Sequence, residues 1–376
     1  MSDHVLPAYL CDRCGARPEV TVGRVSCECG GPLGLELVPP AARPRGAAPA
    51  SPDRALPVSS GALAQVRLGS GPTPLLRWRG DADVWVKCDH MQPTGSFKDR
   101  GAEILAALAL DLGVGRLVVD SSGNAGAALA AHAARAGLHC TVFTPRTTSS
   151  GKLRQISFYG AQLELVAGPR ESSEASAVAY AASTGALYAS HAANPFFLEG
   201  TKGWAYEVVG ELGEVDTVVL PVGSGSLLLG VVRGLRELAA AGWVRRMPRI
   251  VAAQAAGFAT LDAGYTGADT PERPFAEGVA ISRPLRIREM RELVEDLGVT
   301  VVAVDEESVA AAQRELALQG YYVEPTGAVA WAAMRRLQPQ GRTVVALTGH
   351  GLKQIGIRPD DRSWATPETW RNDAAS

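Results

Sequence analysis

Between about residue 84 and residue 347 the chain alternates short runs of valine, leucine and threonine with alanine-rich stretches of helical period, and few folds accept that pattern. It predicts strands over Val84–Val86, Arg116–Asp120, Thr141–Thr144, Gln162–Val166, Thr217–Leu220, Arg249–Ala253, Val299–Val304 and Thr343–Leu347. It predicts helices over Asp99–Leu112, Ala125–Ala136, Lys152–Tyr159, Ser172–Ser183, Gly200–Leu212, Ser226–Ala241 and Ser308–Leu318. Most of these strands are followed by a helix long enough to carry the chain back, so the strands can lie parallel, with helices over both faces of the sheets. The expected class is α/β: two three-layer domains with mostly parallel sheets, preceded by a small metal ribbon. In such sheets ligands bind beyond the carboxyl ends of the strands, so chemistry is sought in the loops that follow strands.

A chain of 376 residues holds two substantial domains and an appendage, at roughly 100 to 200 residues each. The net charge of -2 gives no bulk attraction to nucleic acid or to an anionic membrane, and neither partner is expected. No apolar run reaches the roughly 18 residues of a membrane span, and the N-terminus lacks the apolar core of a secretory signal. A cytoplasmic protein is therefore expected. Of six cysteines, Cys88 and Cys140 lie alone in strand-like runs, while Cys11-x-x-Cys14-Gly15 and Cys27-x-Cys29-Gly30-Gly31 crowd the N-terminus. A lone Cys-x-x-Cys could serve redox chemistry, but two glycine-followed pairs fit a structural zinc ribbon with Cys11, Cys14, Cys27 and Cys29 as ligands. The Pro-rich stretch that follows, Pro39 to Pro52, is unsuited to helix or paired strand and reads as a linker.

Four strand-following loops stand out. The first, Gln92-Pro93-Thr94-Gly95-Ser96-Phe97-Lys98-Asp99-Arg100-Gly101, sets Lys98 where a helix begins. The positive end of a helix disfavours an ammonium, so a neutral amine able to condense with an aldehyde is easier to reach there. Taken alone, Lys98 reads first as an ordinary surface lysine capping a loop, and only the other loops overturn that reading. The second, Ser121-Ser122-Gly123-Asn124-Ala125-Gly126, offers hydroxyls, an amide and helix-start N–H groups to a carboxylate, or simply caps a helix. The third, Pro221-Val222-Gly223-Ser224-Gly225-Ser226-Leu227, can cradle a phosphate or form a tight turn, and it matches neither the nucleotide nor the dinucleotide fingerprint. The fourth, Leu347-Thr348-Gly349-His350-Gly351-Leu352-Lys353, places the Thr348 hydroxyl at a strand end, with His350 either catalytic or a structural hydrogen bonder.

In this order, over about residues 70 to 355, these loops resemble the threonine synthase branch of the tryptophan synthase-like, fold type II enzymes of pyridoxal 5'-phosphate (PLP). The Pro-Thr-Gly-Ser-Phe-Lys-Asp-Arg and Thr-Gly-His-Gly-Leu-Lys runs carry the resemblance, and Gly71-Pro72-Thr73-Pro74-Leu75 is similar to the family's opening strand. The resemblance implies that Lys98 holds the cofactor as a Schiff base and Asn124 bonds its 3-hydroxyl. Gly223, Ser224, Gly225, Ser226 and Leu227 then hold the cofactor phosphate, Thr348 meets the ring nitrogen, and Ser121, Ser122 and Ala125 bind the substrate carboxylate. It also implies a large PLP-binding domain over 58–98 and 205–360, a small domain over 99–204, a ribbon over 1–37, a linker over 38–57 and a tail over 361–376. A homodimer is common in the family, and its substrates are small amino acids.

One stretch departs from the family. Threonine synthases carry approximately Asn-Ser-x-Asn-Pro-x-Arg-x-x-Gly-Gln-Lys-Thr, which grips the phosphate of O-phosphohomoserine, where this chain has His191-Ala192-Ala193-Asn194-Pro195-Phe196-Phe197-Leu198-Glu199-Gly200-Thr201-Lys202-Gly203. Phe197 stands at the arginine position and Ala192 at the serine position, and a phenyl ring offers an anion nothing in exchange for a guanidinium. Either His191, Lys152, Arg154 or Lys202 supplies the charge, or Phe197 lines a substrate pocket for another β- or γ-substituted amino acid. The expected activity is elimination or replacement, most literally O-phosphohomoserine and water to threonine and phosphate. The alternatives are a serine/threonine dehydratase, a cysteate synthase-like enzyme, or a vestigial PLP domain with a partner-binding ribbon. Glu324, before Pro325 at a helix start, is either a cap or a proton carrier.

Overall fold

The computed structural model describes residues 6–24, 26–41, 56–80, 83–148, 150–268, 270–271 and 274–353. Most of the Pro-rich linker and all of the 361–376 tail lie outside them. Strands β1 (Tyr9–Cys11) and β2 (Leu33–Leu35) pair antiparallel as an N-terminal ribbon. Next come α1 (Ser60–Val66), β3 (Leu75–Arg77), β4 (Val84–Lys87), α2 (Lys98–Asp111), β5 (Arg116–Val119), α3 (Asn124–Ala136) and β6 (His139–Pro145). They are followed by α4 (Ser150–Phe158), β7 (Gln162–Val166), α5 (Arg170–Thr184), β8 (Leu187–Tyr188), α6 (Phe196–Thr201), α7 (Gly203–Leu212) and β9 (Thr217–Pro221). The chain continues through α8 (Ser226–Ala240), β10 (Arg249–Ala255), α9 (Ile287–Leu297), β11 (Thr300–Val304), α10 (Glu306–Leu318), α11 (Pro325–Leu337) and β12 (Thr343–Ala346).

Two further sheets form. One has six strands in the order β11-β10-β9-β12-β4-β3, and the other has four in the order β7-β6-β5-β8. Every pairing in them is parallel except that of the edge strand β3 with β4. The central strands β9 and β12 are buried along their whole length, because helices cover both faces. Valine dominates these strands for the same reason: its branched side chain packs well on a pleat that never meets water. No described helix is long and apolar enough to cross a membrane.

The single helix expected over Gly200–Leu212 is two helices, and the first starts earlier, at Phe196. Asn194 sets this start by accepting a hydrogen bond from the Phe196 amide (3.0 Å). Helix α9 is absent from the expected helices although Ile287, Met290, Leu293, Val294 and Leu297 recur at helical spacing among its charged residues, and Met290 and Leu293 are buried. The ribbon is bolted to the rest of the chain. The Tyr9 ring meets Phe196 edge-on, with centroids 6.1 Å apart, and Arg233 donates to the Leu35 carbonyl (2.6 Å). Buried Arg286 donates at 2.8 Å to the carbonyls of Leu33, Ala192 and Ala193, tying β2 to the loop before α6.

Candidate active site

The strand orders decide where side chains can meet. In the larger sheet the carboxyl ends of β4, β9 and β12 are neighbours, and in the smaller sheet those of β5 and β8 are neighbours. The loops leaving these ends border one cavity of about 1470 Å³, lined among others by Lys98, Ser121, Asn124, Ser224, Glu324 and Thr348. Gly223, Gly225, Ser226, Leu227, Ser122 and Ala125 line it as well. Residues from five strand ends, spread over more than two hundred positions of sequence, thus face the same space.

The lysine loop is held by its own neighbours. Gly95 adopts a left-handed φ of 83°, which only glycine takes without strain. Buried Asp99 accepts from both the amide and the hydroxyl of Thr94 (2.9 Å each), closing the turn around Lys98. Arg100 bonds Asp89 (2.8 Å) and Glu207 (2.8 Å), which anchors the start of α2 beneath β4. The loop then pairs with the segment after β12: the Phe97 amide donates to the Thr348 carbonyl (2.9 Å), and the His350 amide to Gly95 (2.9 Å). Most of the Pro-Thr-Gly-Ser-Phe-Lys-Asp-Arg run therefore serves to present one amine.

That amine is buried and donates to the Ser226 hydroxyl at 3.1 Å, joining the lysine loop to the serine-glycine turn. Burial, with Arg170 nearby, lowers the Lys98 pKa from 10.5 to about 7, against a smaller pull upward from Glu324. Burial raises the Glu324 carboxyl from 4.5 to about 7, although Lys353, Asn124 and Lys98 oppose it. Asn124 donates to Glu324 at 2.9 Å, and Gly349 carries no Cβ because one would collide with the Glu324 carboxylate. Two groups of opposite charge type are thus both poised near neutrality in one cavity, a pattern concentrated at catalytic centres. The Thr348 hydroxyl is buried with no hydrogen-bond partner among the described residues, an arrangement that costs free energy unless a ligand satisfies it.

The helix-start loops also show why their glycines are needed. A Cβ at Gly126 would collide with the Ser121 carbonyl oxygen, so glycine lets Ser121 and Ser122 fold onto the first turn of α3. Gly225 takes a left-handed φ of 83° ahead of α8, where the Met290 sulfur leaves no room for a Cβ. His350 accepts from the Leu352 amide (3.1 Å), and its ring lies tilted to His90 and edge-on to Tyr322 while it borders the cavity.

The departing stretch is sorted by the structure. Phe197 is 1% exposed and does not border the cavity; its ring packs on Gly101, His191 and, at 5.4 Å, the Lys98 ammonium. Lys202 is fully buried in ion pairs with Glu199 and Glu237 (3.0 Å), and so is spoken for. The Lys152 side chain lies outside the described residues. Arg154 and His191 border the cavity, and so does Arg170, which none of the loop motifs singles out. Its position right after β7, at a strand's carboxyl end, is the signal that could have found it.

At the N-terminus, the four sulfurs of Cys11, Cys14, Cys27 and Cys29 lie within 4.8 Å of one another. Gly31 closes over them, since a Cβ there would come 3.0 Å from the Cys11 sulfur.

Comparison with known proteins points to one enzyme family. The sequence model described as pyridoxal-phosphate dependent enzyme matches residues 66–349. A threonine synthase of Methanocaldococcus jannaschii is 32% identical over 310 residues, covering 77% of this chain and 76% of the relative. One from Mycobacterium leprae is 33% identical over 316 residues, covering 80% and 87%. Among solved structures, the T.th. threonine deaminase superimposes with a TM-score of 0.64 at 26% identity, over 80% of this chain and 98% of that one. An O-ureido-L-serine synthase, at 23% identity and a TM-score of 0.68 over 84% and 99%, shares the fold.

Proposed function

From the premise that the chain belongs to the pyridoxal-phosphate-dependent enzyme family, we propose that it is a lyase of the threonine synthase type, converting O-phosphohomoserine and water into threonine and phosphate. The observation that carries this reading is the convergence, in one cavity, of a buried lysine, an unpartnered threonine hydroxyl, a serine-glycine turn and a helix start. Likeness to threonine synthases over three-quarters of the chain supports it.

The residues fit PLP. Lys98 would hold it covalently, Asn124 would meet its 3-hydroxyl, Gly223 to Leu227 would hold its phosphate, and the buried Thr348 hydroxyl would gain a partner in the ring nitrogen. Bound there, the cofactor supplies an electron sink for the substrate's α-carbon. The protein supplies the rest. A lysine with a pKa of about 7 takes a proton from a substrate carbon and returns it to another without a large energy gap at neutral pH. Glu324, also near 7, holds or releases a proton alongside it. Ser121, Ser122 and the amides opening α3 orient the substrate carboxylate. The Phe197 ring under Lys98 keeps water from that side of the amine.

We assign the four clustered thiols to one structural zinc. A tetrahedral site with Zn–S bonds of about 2.3 Å sets its sulfurs about 3.8 Å apart, close to the 3.5 Å between Cys11 and Cys29 and the 3.6 Å between Cys14 and Cys27.

A second reading, dehydration of serine or threonine, draws on the 26% likeness to a threonine deaminase structure. Incubating the purified protein with O-phosphohomoserine tests the first: threonine and inorganic phosphate should appear in equal amounts. Oxo-acid and ammonia from threonine, with no phosphate released from O-phosphohomoserine, would replace the first reading with the second.

A further inference from the structure

We propose that Arg170 and His191, which border the same cavity, together form the subsite that holds the anionic end of the substrate, so that the arginine recognising the leaving group comes from the end of β7 and not from the 191–203 stretch. The inference rests on the proposed PLP chemistry and names the residues that choose the substrate.

The cavity's cations narrow the choice. Lys98 donates to Ser226 and is reserved for the cofactor, and Lys353 donates to the Thr94 carbonyl (2.9 Å) and to Gln155. Lys202 is buried in its ion pairs. Arg154 and Arg170 remain, both exposed at the cavity wall, and neither makes a hydrogen bond or ion pair with a described residue. Their places differ. Arg170 opens α5 directly after the carboxyl end of β7, where ligands of parallel sheets bind, and its charge lowers the pKa of both Lys98 and His191, whereas Arg154 lies within α4. Arg170 is therefore the arginine whose field reaches the reacting amine. Glu174, one turn along α5, feels the same charge but leaves the guanidinium fork open.

His191 supplies the second observation. It is 8% exposed, borders the cavity, and its Nδ1 is buried with no hydrogen-bond partner among the described residues. Burial, then Lys98 and Arg170, hold its pKa well below the usual value, so it meets a ligand as a neutral ring with an N–H to donate. A planar fork of N–H donors and a neutral donor on the same cavity suit a tetrahedral oxyanion such as phosphate. Phe197, at the position where threonine synthases carry their arginine, is covered by His191 and cannot take that part.

The test uses the holoenzyme and the variants Arg170→Ala, Arg170→Lys and Arg154→Ala, each checked for retained cofactor absorbance. Two quantities are measured: KM and kcat for O-phosphohomoserine, and the inhibition constant of inorganic phosphate. Loss of one charge-assisted bidentate contact should raise KM and the phosphate inhibition constant roughly 10- to 100-fold in Arg170→Ala. The change in kcat should be smaller, and Arg170→Lys should recover part of the loss. Unchanged phosphate inhibition in Arg170→Ala, or a loss confined to Arg154→Ala, overturns the proposal. Should the wild type release no phosphate from O-phosphohomoserine, the parent reading falls. Arg170-dependent binding of inorganic phosphate, read as a thermal shift, would in that case still support the subsite.

Discussion

Replacing Lys98 with methionine removes a buried amine while keeping an unbranched chain of similar length, and its effect on the cofactor-free protein can be worked out. Burial moves the Lys98 pKa from 10.5 to about 7. The unfolded chain therefore binds more protons than the folded one between those values, and stability rises with pH across that window. At about 1.4 kcal/mol per pKa unit, Lys98 costs the folded state about 4 kcal/mol near pH 7 and about 2 kcal/mol near pH 9. The lost hydrogen bond to Ser226 offsets about 1 kcal/mol of the gain. Lys98→Met should then be more stable than wild type by about 3 kcal/mol near pH 7, the gap shrinking by about 2 kcal/mol near pH 9. Urea unfolding of both cofactor-free proteins, followed by tryptophan fluorescence, measures the gap at each pH. A gap that stays constant, or widens with rising pH, would refute the claim that this amine is held near neutrality by burial.

Glu207 is pushed upward by burial but held at about 2 by Arg100 and Lys87. Its depressed pKa contributes stability above about pH 4.5 that is lost as pH falls toward 2, so Glu207→Gln should cost about 3 kcal/mol at neutral pH and almost nothing near pH 2; thermal melts at both ends of that range check it. Gly126→Ala forces the Ser121 carbonyl off the first turn of α3, and should raise KM for the amino-acid substrate at least 10-fold while the cofactor's absorbance persists. Cys27→Ser should reduce bound zinc from about one equivalent per chain to nearly none, read by elemental analysis, and lower the melting temperature through the loosened ribbon.

How much of this was legible in the sequence depended on how local each feature is. The serine-glycine turn and the Thr94-to-Arg100 run announced themselves, because a left-handed glycine, a hydroxyl five residues before its carboxylate and a lysine at a helix start all act within one turn of chain. The alternation of strands and helices was likewise readable, since valine-rich buried strands and alanine-rich helices each impose their own period. The three-residue edge strand β3 is too short to leave a period of that kind, whereas α9 carries an apolar stripe at helical spacing that the expected helices nonetheless omit.

What the sequence could determine by itself was therefore the chemistry each loop could offer, and which loops would offer it. Only the tertiary structure decided which side chains share the cavity. It buried Lys202 between two glutamates and placed Phe197 beneath Lys98, and it brought Arg170 in from the end of β7. Strand order sets those distances, and strand order is a property of how remote segments pack. Hydrogen-bonding and periodicity rules act over a few residues and carry no information about it. Phe197 and Arg170 lie 27 positions apart in the chain, yet the fold turns one toward the core and the other toward the cavity.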